Sequence, residues 1–263
     1  MIKLIGVPFD LNSSFLRGPA LAPRRIRHME TDGSANYYAE NGKYIKSGET
    51  YHDAGDIVFN HLNPADAFNT IFEKISAESK DGSQLITLGG DHSISYPVVK
   101  AISGHVGKLN ILHIDAHTDT YQNFEDHPYS HASPFARLLE DGCIQSLTQV
   151  GIRTMTKHHL DQAHRYGIQM VEMKDFSFEF IHKLTAPLYI SLDLDALDPA
   201  FAPGVSHHEP GGLSSRQLIQ ILQTITVPIL SADIVEYNPA RDVHDMTAMV
   251  AYKMMKEIMS KML

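Results

Sequence analysis

The sequence predicts an α/β fold, a mainly parallel sheet covered on both faces by helices. Three observations carry this. Short apolar runs at 3–7, 84–88, 109–114, 148–152, 168–171, 188–193 and 229–235 alternate with longer helix-like stretches, as strands buried on both faces do. The 263 residues are 43% apolar, enough to bury a full core. Four of the runs end in residues able to hold a metal or move a proton, and ligands of open parallel sheets bind beyond the carboxyl ends of the strands.

In chain order, 3–7 is the first strand. Residues 12–44 show little periodicity, and Arg17-Gly18-Pro19 and Ala22-Pro23 mark a loop feeding a short helix at 24–29. Asn63-Pro64 starts the next helix, with Asn as cap and Pro at the first helical position, and Asp81-Gly82 ends it. Helices also follow at 133–140, 214–224 and 243–261. The last of these is rich in methionine (Met246, Met249, Met254, Met255, Met259, Met262) and reads as an amphipathic helix packed on the sheet. Nothing suggests a linker or repeat, so residues 1–263 read as one domain.

The formal charge of −9, with no basic stripe, speaks against nucleic acid as a partner. Cys143 is the single cysteine and follows a helix end, where a structural role is expected. No run reaches the roughly 18 apolar residues of a membrane span, and the apolar start is too short for a signal peptide. A soluble, cytoplasmic protein is the expectation.

The four strand ends carry the chemistry. They are Gly89-Gly90-Asp91-His92-Ser93, Asp115-Ala116-His117-Thr118-Asp119, Asp193-Leu194-Asp195-Ala196-Leu197-Asp198-Pro199 and Glu236-Tyr237-Asn238-Pro239. Residues two apart on an extended chain face the same side, which pairs Asp115 with His117 and Asp193 with Asp195. Asp115, Asp119, Asp193 and Asp195 together would repel and could not all stay ionised uncompensated. Two divalent ions match their four charges, and His92 and His117 add neutral nitrogens. Mixed oxygen and imidazole ligation suits Mn²⁺, with Fe, Co, Ni and Zn as alternatives. Taken singly, each cluster could be a turn, a helix cap or an acidic loop; together, each after an apolar strand, they indicate a metal site.

The first two clusters, and Ser191-Leu192 running into the third, resemble the three signatures of the ureohydrolases, the arginase and agmatinase family. The resemblance covers nearly the whole chain and is densest over 84–136 and 187–252. The sequence is most similar to the agmatinase-like branch that includes the plant arginases, on Tyr129-Ser130-His131-Ala132-Ser133-Pro134-Phe135-Ala136-Arg137, on 199–207 and on 245–251. The resemblance implies a three-layer α/β/α fold around a parallel sheet of about eight strands, with trimers or hexamers usual. It implies that Asp115 and Asp193 bridge two Mn²⁺ ions, with His92 and Asp119 completing one shell and His117 and Asp195 the other.

A guanidinium carbon is a poor electrophile, and two divalent ions make a strong nucleophile of water at neutral pH. Asp119 is expected to orient that water, Glu236 to pair with the guanidinium, and His131 to match the family's proton-shuttling histidine. His158, His159, His164, His207 and His208 are expected on loops or helix surfaces without a metal role, His207 at the pocket mouth. The expected substrate is L-arginine, giving urea and ornithine, with agmatine (to urea and putrescine) as the alternative and other guanidino acids behind. Animal-type and bacterial arginases carry Asn where this chain has Tyr121, and an acid three residues after the Arg of the Gly-x-Arg turn, where Gly151-Ile152-Arg153 runs into Thr154-Met155-Thr156. Tyr121 and His131 are therefore candidate substrate contacts. A one-zinc deacetylase, a dead homologue and a two-metal phosphoesterase fit less well, since all six ligands are present and phosphoesterase motifs are not.

Overall fold

The strands are β1 (Ile2–Val7), β2 (His52–Asp56), β3 (Gln84–Gly89), β4 (Leu109–Ile114), β5 (Ile144–Ile152), β6 (Gln169–Glu172), β7 (Leu188–Asp193) and β8 (Ile229–Val235). The α-helices are α1 (Ala22–Thr31), α2 (Pro64–Ser79), α3 (Ser95–Val106), α4 (Pro134–Glu140), α5 (Lys157–Tyr166), α6 (Ser215–Thr224) and α7 (Met246–Met262). They come from a computed structural model that describes residues 1–33, 35–60 and 63–263.

Among the described residues the strands form one sheet in the order β2-β1-β3-β8-β7-β4-β5-β6, every pairing parallel. Side chains from its two faces form two apolar clusters. One packs Ile26 of α1, Leu218 and Leu222 of α6 and Met254, Met255 and Met259 of α7 against Leu4, Ile86, Leu112 and Ile190. The other packs Ile71 and Ile75 of α2, Val98 and Ile102 of α3 and Phe135 of α4 against Ile5, Leu85, Ile111 and Tyr189. The result is the expected three-layer α/β/α sandwich, and α7 is a packed helix as its methionines suggested. Each fully buried Ile or Leu contributes about 1.5–3 kcal/mol.

Local signals set several boundaries. Asn63 caps α2 by accepting from the Asp66 N–H, with Pro64 at its first position. Ser214 and Gln217 form a reciprocal cap at the start of α6. Helix α1 runs 22–31 rather than 24–29, α7 starts at 246 rather than 243, and β5 starts at 144 rather than 148. Three elements add to those read from the sequence: β2, α3 and α5.

The order of the central strands positions the site. The four strands that end in ligand-bearing clusters, β3, β8, β7 and β4, are consecutive neighbours in the sheet. Being parallel, they deliver all four clusters to one edge. Gly90 lets the turn after β3 pass close by, since a Cβ there would lie 2.0 Å from the Phe9 carbonyl oxygen.

Candidate metal centre

At that edge His92, fully buried, turns Nδ1 toward three carboxylate oxygens. Asp119 Oδ2 lies at 3.0 Å, Asp115 Oδ2 at 3.1 Å and Asp193 Oδ2 at 3.2 Å. Beside it, His117 Nδ1 lies 3.0 Å from Asp195 Oδ2 and 3.3 Å from Asp115 Oδ1. Asp115 thus gives one oxygen to each group. The structure brings together all six residues that the sequence nominated for metal binding.

The donor set fits divalent cations, and the orientation of His92 provides the test. Its Nε2 lies 2.9 Å from Ser191 Oγ. Ser191 donates its own proton to Asp233 Oδ1 at 2.7 Å, so it accepts the Nε2–H of His92. That leaves Nδ1 aimed among the three carboxylates, where it makes no hydrogen bond. Four electron-rich atoms closing on one point need a cation between them. Burial, with the neighbouring carboxylates, pushes the pKa of Asp193 and Asp195 up, which again marks a cluster short of positive charge.

Supporting contacts fix the ligands. Asp233 is fully buried and accepts from Ser191, Ser95 (2.7 Å) and Tyr189 (2.6 Å). His113 Nε2 donates to Asp115 Oδ2 at 2.7 Å, and its Nδ1 accepts from Gln149 at 3.0 Å. His113 could be grouped with His92, Asp115 and Asp119 as a ligand, but both its nitrogens are engaged, so it orients Asp115 instead. The backbone N–H groups of His117 and Asp195 donate to Asp115 Oδ1 (2.6 Å) and Asp193 Oδ1 (2.8 Å). Ser191, His113 and Asp233 were missed in the sequence. The period-two rule that paired Asp115 with His117 also reaches back to His113, and from Asp193 to Ser191. Asp233 stands out as a carboxylate inside an apolar strand.

Next to the metal ligands, His131 Nδ1 lies 2.7 Å from Glu236 Oε1, and His131 Nε2 lies 2.8 Å from Ser14 Oγ. Glu236 Oε1 also accepts the His92 backbone N–H at 2.9 Å. Burial works against a charge on His131, but Glu236, with Asp91 and Asp119, outweighs it and pushes its pKa up to about 9. Burial raises Glu236, but His131 prevails and holds it below the usual carboxylate range. Ser14 comes from the aperiodic 12–44 segment, which Asp91 pins by accepting the Asn12 N–H at 3.0 Å. Asp119 and Glu236 hold φ of 48° and 62°, left-handed values that cost a non-glycine residue about 1 kcal/mol or more and cluster at functional sites.

These side chains open into a cavity of about 440 Å³, lined also by Tyr121, Arg153, Thr154, His159 and His207. His207 is among the residues that line it. His159 does not lie on a surface as expected. It is buried on α5, with its ring 4.3 Å from that of Tyr121. Arg153 spends its guanidinium on carbonyls of Gly151, Asp195, Ala196, Leu197 and Glu209, tying the loops of the rim together.

A parallel α/β sheet with carboxylate–imidazole sets able to hold metal at its carboxyl edge is the architecture of a metal-dependent hydrolase. The arginase family model matches residues 1–260, and the chain belongs to the arginase family. It is 45% identical over 273 residues to "Arginase 1, mitochondrial" of Oryza sativa subsp. indica, covering 98% of this chain and 80% of that protein. It is 44% identical, with the same coverages, to "Arginase 2, chloroplastic/mitochondrial" of Arabidopsis thaliana. The solved arginase from Medicago truncatula superposes with a TM-score of 0.93 at 41% identity, covering 99% of this chain and 87% of that one.

One expectation falls here. The cytoplasmic assignment is contradicted by these relatives, which are named for mitochondria and chloroplasts. The physical reason is that composition and the lack of an apolar span describe a fold stable in water, and organelle interiors are aqueous too.

Proposed function

We propose that this chain is a binuclear manganese amidinohydrolase that cleaves the guanidino group of L-arginine, giving urea and L-ornithine. The observation that carries this is the shared carboxylate of Asp115, one oxygen toward His92 and the other toward His117, beside the Glu236–His131 pair. His92, Asp119, Asp115 and Asp193 would hold one ion, and His117, Asp195, Asp115 and Asp193 the other. Oxygen-rich ligation with two imidazoles suits Mn²⁺. When bound, such ions lower the pKa of water enough to make it a nucleophile at neutral pH.

The side chains do the rest. Glu236 Oε1 is engaged by His92 N–H and His131, leaving Oε2 to accept from the guanidinium and fix its plane. Asp119 accepts a hydrogen bond from the attacking water and aims it. His131, protonated at neutral pH, gives its proton to the leaving amine from Nε2, which Ser14 orients. The identity to plant arginases over nearly the whole chain supports arginine as the substrate. A second reading, agmatine, is favoured by one observation: Arg153, the cation on the cavity wall beside Thr154, is consumed by carbonyls and is not available to a substrate carboxylate.

The same reading takes residues 1–263 as one domain acting on small cationic guanidino compounds within a homo-oligomer, a trimer or hexamer. The deciding experiment is urea release by Mn²⁺-loaded protein from L-arginine and agmatine at equal concentration, with metal counted per chain. Urea from arginine with two ions bound is the expected result. Urea from agmatine alone makes the second reading correct, and a silent protein with two ions overturns both.

A further inference from the structure

The two ring nitrogens of His131 face different surroundings. Nδ1 is closed off by Glu236, a buried carboxylate that also holds the His92 N–H. Nε2 lies 2.8 Å from Ser14 Oγ. Ser14 is exposed although its partner is buried, and it lines the cavity. Among the described residues its hydroxyl has no other hydrogen bond. With His131 protonated, both ring N–H groups donate, so Ser14 Oγ accepts and its own O–H is left for solvent. The residues on either side hold Ser14 in place. Asp91 accepts from the Asn12 N–H at 3.0 Å and from the Ser13 hydroxyl at 3.2 Å. Asn12 donates through Nδ2 to Ser93 Oγ at 3.1 Å, and its carbonyl accepts the His131 N–H at 3.2 Å. After Ser14, the Phe15 ring packs 5.5 Å from that of His207, which lies 5.6 Å from that of His131.

We propose that the Ser14 hydroxyl is a proton relay, which returns to His131 Nε2 from solvent the proton that His131 spends in each turnover. The inference rests on the hydrolase reading above and adds a residue to its proton path. When the leaving amine takes the Nε2 proton, the ring becomes neutral and Nε2 turns from donor to acceptor. A hydroxyl follows that change by rotation, because it both donates and accepts. Ser14 then donates to Nε2. Its O–H bond breaks as the Nε2–H bond forms, and a hydronium ion or protonated buffer in the cavity gives Oγ a replacement proton. Ser14 ends unchanged and His131 regains one proton. Hydrolysis overall consumes no proton, because the water that enters for the next turnover releases one to solvent as it ionises. Nδ1 keeps its proton on Glu236 throughout, so the exchange runs through the nitrogen that faces the exposed residue.

The test compares wild type with Ser14→Val and Ser14→Thr, which share a β-branched shape and differ by the hydroxyl. Urea release from L-arginine and from agmatine is followed with Mn²⁺-loaded protein in weak buffer, with and without added imidazole. In parallel, exchange of the His131 Nε2 proton with solvent is measured by NMR. The protein for this carries isotope-labelled histidine and Zn²⁺, a diamagnetic ion that imidazole and carboxylate also bind, and the signal is assigned by its loss in His131→Asn. The kcat of the Val variant should fall roughly 10- to 100-fold, within what a proton-transfer group contributes, with KM little changed. It should climb as imidazole is added, and proton exchange should slow by a similar factor. Thr should restore most of both. A Val variant with wild-type kcat or wild-type proton exchange overturns the relay. So does a Val variant that is slow but indifferent to imidazole, or a Thr variant as poor as Val, since Ser14 would then only orient the ring. If exchange depends on the hydroxyl but the wild type releases no urea from either substrate, the hydrolase reading fails and the solvent path to His131 stands.

Discussion

His131 and Glu236 form a buried pair at the mouth of the metal centre, with Nδ1 2.7 Å from Oε1. Each shifts the other: the carboxylate keeps the imidazole protonated, and the imidazolium keeps the carboxylate ionised. His131→Asn removes the proton donor but touches no ligand atom. Turnover should fall roughly 100- to 10,000-fold, the usual contribution of a general acid, while metal analysis still finds two ions per chain. A variant that loses metal would show that His131 belongs to the ligand set.

Metal removal should cost stability, and its pH dependence has a definite sign. Without cations, protons occupy the cluster: burial resists charging His92 and His117, but the surrounding aspartates outweigh it and raise both pKa values. Metal binding must displace those protons, so affinity should rise with pH across the neutral range. Chelated protein should unfold at lower denaturant than Mn²⁺-loaded protein, by about 4 kcal/mol at 1,000 times Kd. Asp195→Asn should lose much of that gain. A dissociation constant that is flat between pH 6.5 and 8.5 would refute the displacement.

The catalytic edge was legible in the sequence because each cluster follows an apolar strand. Asp115, His117, Asp193 and Asp195 needed only the two-residue period of a strand. Their convergence on His92 depended on strand order, which no local pattern contains: β3 and β4 are successive in the chain, yet β8 and β7 lie between them. Strand β2 escaped because His52-Asp53-Ala54-Gly55-Asp56 is an edge strand paired only with β1 and has no apolar alternation. Helix α3 was hidden by Pro97 and its valines, although a proline in a first turn forfeits no hydrogen bond. Helix α5 was hidden by a polar face, and its end lies at Gly167, whose φ of 65° suits glycine. The buried position of His159 follows from that same helix and could not be read without it.

Away from the site, Glu40 offers a test in acid. Arg216 reaches it through two hydrogen bonds, at 2.7 and 2.9 Å, and Gln223 adds a third at 3.2 Å. The Arg216 bonds, chiefly, hold its pKa down to about 2. A depressed carboxylate pKa contributes stability that is present above the ordinary value near 4.5 and is lost as pH falls toward 2. The pair is about one-third exposed on the Glu40 side and two-thirds on the Arg216 side, so screening limits the contribution to about 1 kcal/mol or less. In denaturant titrations Glu40→Gln should therefore destabilise the protein at pH 7, with the difference shrinking as pH falls from about 4.5 and vanishing only once pH has passed below about 2. An equal difference across that range would assign the effect to packing.

The strongest test of how the ligands are held lies behind His92. Asp233 stands outside the cluster that could hold metal, yet it accepts from three buried hydroxyls, and the Ser191 hydroxyl among them fixes His92. Asp233→Asn keeps the volume but turns one acceptor oxygen into an N–H₂ donor, so at least one hydroxyl must find another partner. If Ser191 then turns its proton toward His92 Nε2, the imidazole must take the other tautomer, with its proton on Nδ1 where the ion would bind. Metal affinity should drop roughly 10- to 100-fold, measured by competition with a chelator of known affinity, and activity should return at high Mn²⁺. Ser191→Ala should reproduce the loss in part, because it frees the His92 ring without reversing its proton. An Asp233→Asn protein that binds Mn²⁺ as tightly as wild type would mean that the carboxylates alone orient the ion, and that the hydroxyl relay serves only the core.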